Sequence, residues 1–274
     1  MKIGFIGAGK VGYSLSKWFN TRYNNVCGIY SKNWEDAKDC CEFVISEYYK
    51  NMNELICDCD TLFLTVNDDS LSEVVDELIK LKLKNKKLIH TSGSLTTDIF
   101  KELNNDNYCY SIHPIYAFND KYNSYKGLND IYFTLEGCDK YLDELNELFN
   151  SRIKIIKKEN KEKYHLACSM ISNMVCGIVN ISENIFKEIG LDDKDIYMPL
   201  FMNNANNINN YGSLKALTGP ILRNDINTVK KHINNLDKNE LMIYKYLGLY
   251  LVGMAKDINK DNDYEKLESL LEEI

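Results

Sequence analysis

Only four histidines, at positions 90, 113, 165 and 232, occur in this 274-residue chain. Ser111-Ile112-His113-Pro114 closes a strand-like run, and Pro114 restricts the backbone of His113, which limits where the imidazole can point. An imidazole so held could orient or protonate a reacting oxygen, or could only hydrogen-bond a loop and shape a cleft. Lys161, His165, Ser169 and Asn173 recur every four residues, the spacing that puts side chains on one helical face. On that face Lys161 could offer charge to a carboxylate, and Asn173 or Ser172 could hydrogen-bond a hydroxyl. An exposed polar face without a ligand has the same pattern. A third cluster follows a glycine-proline turn, Thr218-Gly219-Pro220, after which Asp225, Thr228 and His232 share a helix face. Arg223 there could bind a carboxylate through paired hydrogen bonds, or pair with Asp225 to hold the turn. His90 lies inside an apolar strand and reads as a core residue.

A site for an anion stands at the beginning of the chain. Lys2 to Ile6 reads as a strand, and Gly7-Ala8-Gly9-Lys10-Val11-Gly12 then sets glycines at the G-x-G-x-x-G spacing before an amphipathic helix. In that pattern the first glycine makes a tight turn, the second lets a pyrophosphate approach the backbone, and the third packs helix on strand. The free N–H groups and the helix dipole face the anion. An ordinary glycine-rich turn has the same letters, but the flanking strand and helix supply the context of a dinucleotide site. About twenty residues on, where a carboxylate would bind a ribose 2′-hydroxyl, stand Ser31 and Lys32. A hydroxyl and an ammonium suit a 2′-phosphate, so NADP is expected over NAD, unless Lys32 is a solvated loop lysine.

The elements needed to position these residues alternate. Strands are expected at 26–30, 61–66, 87–92, 108–112, 131–135 and 153–156, with helices at 34–43, 71–81, 95–103 and 141–149 between them. That order calls for an α/β fold with a doubly wound parallel sheet. Ligands of such sheets sit beyond the strand carboxyl ends, so the loops at Gly7, Ser31, Val66-Asn67, Ser92-Gly93 and His113 should face one cleft, with Ser92 open to cofactor and substrate. From about Lys157 the period becomes helical throughout: 161–188, 192–210, 223–234, 236–256 and 263–274. Two domains follow, 1–157 for the dinucleotide and an all-helical 158–274 for substrate and dimerisation. Met170, Met174, Val175, Ile178 and Val179 on the long helix are apolar enough to seek a second subunit, although an intramolecular bundle would serve as well.

Composition bounds the partners. A net charge of −7 argues against nucleic acid or an anionic membrane. Nine cysteines without metal-like spacing suit free thiols in a reducing cytoplasm. No apolar run is expected to be long enough for a bilayer, and the glycine turn stands where a signal peptide would.

Together, Gly7 to Gly12, Tyr30-Ser31-Lys32, His90-Thr91-Ser92-Gly93-Ser94, His113-Pro114, Tyr164-His165 with Ser172-Asn173, and Ala216 to Ile221 with Arg223, Asp225 and His232 resemble a bacterial family. Its members combine a Rossmann-like domain with a helical domain known as DUF2520. The resemblance covers nearly the whole chain and implies an NADP oxidoreductase akin to ketopantoate reductase, pyrroline-5-carboxylate reductase and the β-hydroxyacid dehydrogenases. Two departures stand out. Those relatives place a catalytic lysine four residues before an asparagine, whereas His165 follows Lys161 and Ala167 follows Lys163 at that spacing. Asn67 also replaces a proline usual after the third cofactor strand. The expectation is an NADPH-dependent reductase of a small carboxylate-bearing carbonyl compound, foremost a ketopantoate-like 2-oxo acid. A pyrroline-5-carboxylate-type imine is the alternative substrate, and a non-catalytic NADP-binding redox sensor the alternative of another class. His113 or His165 would place the proton, Lys161 or Arg223 hold a carboxylate, and Asn173 orient the reacting oxygen.

Overall fold

The structure, a computed structural model, describes residues 1–273. The chain divides into two compact units, Met1–Met174 and Val175–Ile274. The division falls inside the long helix, seventeen residues beyond the change of sequence period near Lys157.

The first unit is built on an eight-stranded sheet in the order β3-β2-β1-β4-β5-β6-β7-β8. Its strands are β1 (Ile3–Ile6), β2 (Val26–Tyr30), β3 (Glu47–Tyr48), β4 (Thr61–Leu64), β5 (Lys87–His90), β6 (Tyr108–Pro114), β7 (Phe133–Gly137) and β8 (Ile153–Ile155). Helices α1 (Lys10–Tyr23), α2 (Trp34–Val44), α3 (Met52–Asp58), α4 (Asp68–Lys80) and α5 (Leu142–Leu148) connect them. All four residues of β1 and of β4 are buried, as their unbroken apolar runs require of central parallel strands. One face is covered by an aromatic cluster in which Phe5 stacks on Phe63 with ring centroids 5.2 Å apart and Phe19, Phe133 and Phe149 pack around them. The other is covered by Leu71, Val75 and Leu78 of α4 against Leu62, Leu64 and Leu88. Strand order reverses between β1 and β4, which opens the crevice that ligands of such sheets occupy.

Three features differ from the sequence expectation. The sheet is not wholly parallel, because β7 runs antiparallel to β6, with His113 opposite Thr134. Residues 115–132 contain only a short 3₁₀ turn, Ser124–Gly127, and no crossover helix to carry the chain back for a parallel partner. The helix expected over 95–103 is a single 3₁₀ turn, Thr97–Phe100. Its start is held by Glu136 of β7, which accepts from the Thr97 N–H at 2.8 Å and from the Thr97 hydroxyl at 2.6 Å. The short pair β3 and α3 was not anticipated; two strand residues leave little periodic signal.

The chain then enters α6 (Lys161–Ser169), a π-helical turn (Met170–Met174) and α7 (Val175–Glu188) without a break. The π turn inserts a residue into the helical register, so Asn173 no longer continues the stripe of Lys161, His165 and Ser169. This stretch also corrects an expectation of composition. Residues 158–188 are long and apolar enough to cross a bilayer, with a mean hydropathy of 1.3 in the most apolar window.

In the second unit, α10 (Ile226–Ile233), α11 (Lys238–Ile258) and α12 (Glu265–Glu272) enclose a small core of Ile221, Val229, Val252, Ala255, Tyr264, Leu267 and Leu271. Asp237 and Glu240 form a reciprocal cap at the start of α11. By contrast α7 and α8 (Lys194–Tyr211) bury no residue. Ile178, Leu200 and Met202 are exposed along them. The short α9 (Ser213–Ala216) follows.

Candidate active site

The glycine turn has the geometry its sequence implies. Gly7 has φ +107°, a conformation that side chains disfavour, and its N–H donates to the Tyr30 carbonyl at 2.8 Å. A Cβ on Gly12 would collide with the Gly7 carbonyl and would lie 2.7 Å from Thr65 Oγ1. Thr65, just beyond β4, donates its hydroxyl to that same carbonyl at 2.8 Å. Gly9 caps α1 with no side-chain hydrogen bond, so the first-turn N–H groups, including those of Lys10 and Val11, are left for an anion. A cavity of about 360 Å³ opens here, lined among others by Gly7, Ala8, Gly9, Ser31, Lys32, Val66 and Asn67. Asn67 caps α4 by accepting from the Ser70 N–H at 2.8 Å. At the far end Lys32 is paired with Glu73 at 2.8 Å, both side chains mostly exposed. These residues fit a dinucleotide, with the turn for its pyrophosphate and Ser31 and Lys32 for a ribose phosphate.

The second cluster forms where β5 and β6 end. Ser92 and Ser94 both donate their hydroxyls to Asp68 Oδ2, at 2.9 and 2.7 Å, which ties the Ser92-Gly93-Ser94 loop to the first residue of α4. His113, the penultimate residue of β6, and His165 of α6 lie with ring centroids 6.1 Å apart and nearly perpendicular. Gly93 lies beneath both rings: a Cβ there would strike His165 Cδ2 and sit 2.9 Å from His113 Nε2. On its other side, His113 Nδ1 is 2.7 Å from the Tyr164 hydroxyl.

Burial controls the charges. His113 is pulled down to about 4, first by desolvation and then by the positive charges of Lys161 and His165, so it is neutral near pH 7. Lys161 has no solvent exposure and donates to Ser111 Oγ, whose hydroxyl lies 3.4 Å from the Ser92 carbonyl. Desolvation takes Lys161 down to about 8, against the opposing pull of Glu136 and Asp68. In this position its ammonium is not presented to a dissolved carboxylate. His90 is fully buried, taken down to about 3 chiefly by desolvation, and accepts from the Ser92 N–H at 3.3 Å. It is the core residue its sequence context suggests.

Of the residues singled out in the sequence, the first unit thus brings together Ser92, Gly93, His113, Lys161 and His165. Ser172 and Asn173 are engaged on their own helix, Ser172 donating to the Cys168 carbonyl at 2.7 Å with its oxygen 3.2 Å from Asn173 Oδ1. Arg223, Asp225 and His232 belong to the second unit. There Asp225 caps α10, accepting from the Thr228 N–H at 3.0 Å and its hydroxyl at 2.7 Å, and no Arg223–Asp225 ion pair forms among the described residues. His232 Nδ1 lies 2.9 Å from the Tyr244 hydroxyl. Sequence reasoning gave no site role to Thr65, Asp68, Ser94, Ser111 or Tyr164. Thr65 carried a signal, a hydroxyl ending an apolar strand; Ser94, Ser111 and Tyr164 stood in the stretches that were singled out, but what each of them touches follows only from the sheet order. Among the described residues no group of His, Cys, Asp or Glu is arranged to hold a metal.

Family models match both halves of the chain: a Rossmann-like domain over residues 1–114, and the domain of unknown function DUF2520 over 131–251. The chain carries a Rossmann-like domain followed by a DUF2520 domain. Solved structures resemble this two-domain chain over nearly its full length. Protein TM1727 from Thermotoga maritima is 24% identical, with a TM-score of 0.72 over 94% of this chain and 99% of its own. BF3122 from Bacteroides fragilis, named provisionally as an NADP oxidoreductase, is 20% identical, with a TM-score of 0.76 over 92% and 98%. The Plasmodium falciparum pyrroline carboxylate reductase, solved with NADP bound, is 18% identical, with a TM-score of 0.60 over 95% and 97%. At such identities the likeness is one of fold. No curated protein is significantly similar to this chain.

Proposed function

We propose that this protein is an NADPH-dependent reductase of a small C=O or C=N compound. The observation that carries the reading is the row of strand ends, where the glycine turn of β1 and the His113 cluster of β6 open on the same edge of one sheet. When bound, the nicotinamide supplies a hydride. The protein's own contribution is to hold the pyrophosphate on the α1 N-terminus, the 2′-phosphate on Ser31 and Lys32, and the reacting oxygen or nitrogen beside His113. His165 packs against Gly93 and His113 and would limit what fits beside that imidazole. The resemblance to NADP-named and NADP-bound structures supports the cofactor.

A ketopantoate-like 2-oxo acid remains one candidate substrate. The Asp68 carboxylate in the same cluster favours the alternative, a pyrroline-5-carboxylate-type imine, since it attracts a protonated C=N that a neutral ketone lacks. Imine reductases are among the structures of similar fold, one from Pseudomonas sp. at 11% identity and a TM-score of 0.65. Consumption of NADPH with a panel of cyclic imines and 2-oxo acids tests the reading. Tight NADPH binding without turnover on any of them would replace it with the redox-sensor alternative, and failure to bind NADPH would remove it.

The exposed apolar residues of α7 and α8 support assembly as a homodimer through the helical region, a better outlet for that surface than water. A monomeric sedimentation profile at micromolar concentration would exclude it. Nine cysteines, none in a disulfide, support a reducing cytoplasmic setting.

A further inference from the structure

The mechanism so far leaves Tyr164 without a role, although its hydroxyl is 2.7 Å from His113 Nδ1. A neutral imidazole carries one N–H, and which nitrogen bears it is set by the partner of the other. Two arrangements are open: Nδ1–H donating to the phenol oxygen, or the phenol donating to Nδ1. A phenol is the stronger donor, because its oxygen lone pairs are delocalised into the ring, and an unprotonated imidazole nitrogen is a strong acceptor. Desolvation raises Tyr164 well above an ordinary phenol, so it keeps its proton and has one to give. Two other groups lie beside it: the Thr134 hydroxyl, which acts on the phenol oxygen as a donor, and the sulfur of Cys168, a weak acceptor.

We infer that Tyr164 is a positioning residue, whose hydroxyl donates to His113 Nδ1 and thereby leaves the single imidazole proton on Nε2. Nε2 lies on the side of the ring packed close to Gly93, 2.9 Å from where a Cβ at that position would stand, so glycine is what lets the ring take this place. A ring held through Nδ1 presents its Nε2 proton in one direction, and an oxygen or nitrogen of a substrate bound beside His113 would receive a hydrogen bond from a donor that is already oriented. In the other tautomer Nε2 would be a lone pair, and it would repel a carbonyl oxygen. The inference rests on the reductase reading only for the identity of that acceptor; the tautomer itself is a property of the protein alone.

The test is long-range ¹⁵N–¹H correlation of the imidazoles in the ligand-free full chain, where four histidines give few signals and His113→Gln assigns the one in question. The wild type is expected to show His113 protonated at Nε2 at pH 7. Tyr164→Phe is expected to populate both tautomers, and Tyr164→Phe should lower kcat by about tenfold, the equivalent of one hydrogen bond, with KM nearly unchanged. A wild-type His113 protonated at Nδ1, or a tautomer unmoved in Tyr164→Phe, overturns the inference. A folded Tyr164→Phe is verified by unchanged NADPH affinity. If NADPH binding or turnover is absent in the wild type the reductase reading fails, while the tautomer measurement still decides the role of Tyr164.

Discussion

Thr65 Oγ1 holds the Gly7 carbonyl at 2.8 Å, joining the end of β4 to the turn that follows β1. The bond crosses the point where strand order reverses, and it fixes the peptide that the pyrophosphate would approach. Thr65→Val keeps shape and burial but removes the donor, leaving a buried carbonyl lone pair unpaired. About 1–3 kcal/mol of stability should be lost by urea unfolding. NADPH affinity should fall several-fold by fluorescence titration, and an unchanged dissociation constant would show that the bond is not part of the cofactor site.

Gly93→Ala should separate the two halves of the site. The added methyl meets His165 Cδ2 and His113 Nε2, so the rings must shift, at a cost of roughly 1–3 kcal/mol for overpacking. Turnover should drop at least tenfold in the NADPH assay. NADPH binding should hold, because the glycine turn lies on other strands.

Lys161 is a buried cation with a hydrogen bond but no ion-pair partner among the described residues. Because its folded pKa, about 8, lies below the unfolded value near 10.4, keeping it charged costs on the order of 3 kcal/mol below pH 8. Lys161→Met removes that cost along with the bond to Ser111 and is expected to be more stable than the wild type at pH 7. As pH rises from 8 to about 10.4 the wild-type lysine sheds its charge, so the difference should shrink. Urea midpoints at pH 7 and 10 measure it. A variant less stable than wild type at pH 7 would contradict the sign.

His90 and His113 work in the opposite window. Both are held neutral below the unfolded pKa near 6.5, at about 3 and about 4, so their stability is complete above pH 6.5 and is lost as pH falls toward those values. Between pH 6 and 4.5 the unfolded chain takes up two more protons than the folded one, a slope of about 2.7 kcal/mol per pH unit at most. His90→Gln should roughly halve that slope in acid-jump unfolding.

How far the sequence reaches depends on the range of the interaction. The glycine turn was legible because Gly7, Gly9 and Gly12 act within six residues, and steric demands over that range have a fixed spacing. Ser31 and Lys32 line the cavity beside that turn because they follow β2, and it was the regular length of a strand-helix-strand unit that placed them there. The pairing of Lys32 with Glu73 was not, because it joins residues 41 apart through a strand order that no local pattern encodes. The stripe of Lys161, His165 and Asn173 was read on an ideal helix, and the π turn at 170–174 broke it. Nothing in Met170 to Met174 marks such a turn, since its cost is set by what the helix packs on. The antiparallel return of β7 was missed for want of one negative signal, the lack of a helix in 115–132.

The Lys32–Glu73 pair alters what cofactor capture would mean at the phosphate end. Lys32 is already neutralised by a carboxylate of the same unit, so a 2′-phosphate does not settle on a bare cation. On the proposed reading it would displace a resident anion, as in ion exchange. The released Glu73 takes up counterions while the phosphate gives up its own, so the two effects oppose one another. NADPH affinity should therefore decline only shallowly with salt, and Glu73→Gln should steepen the dependence toward that of an unshielded lysine.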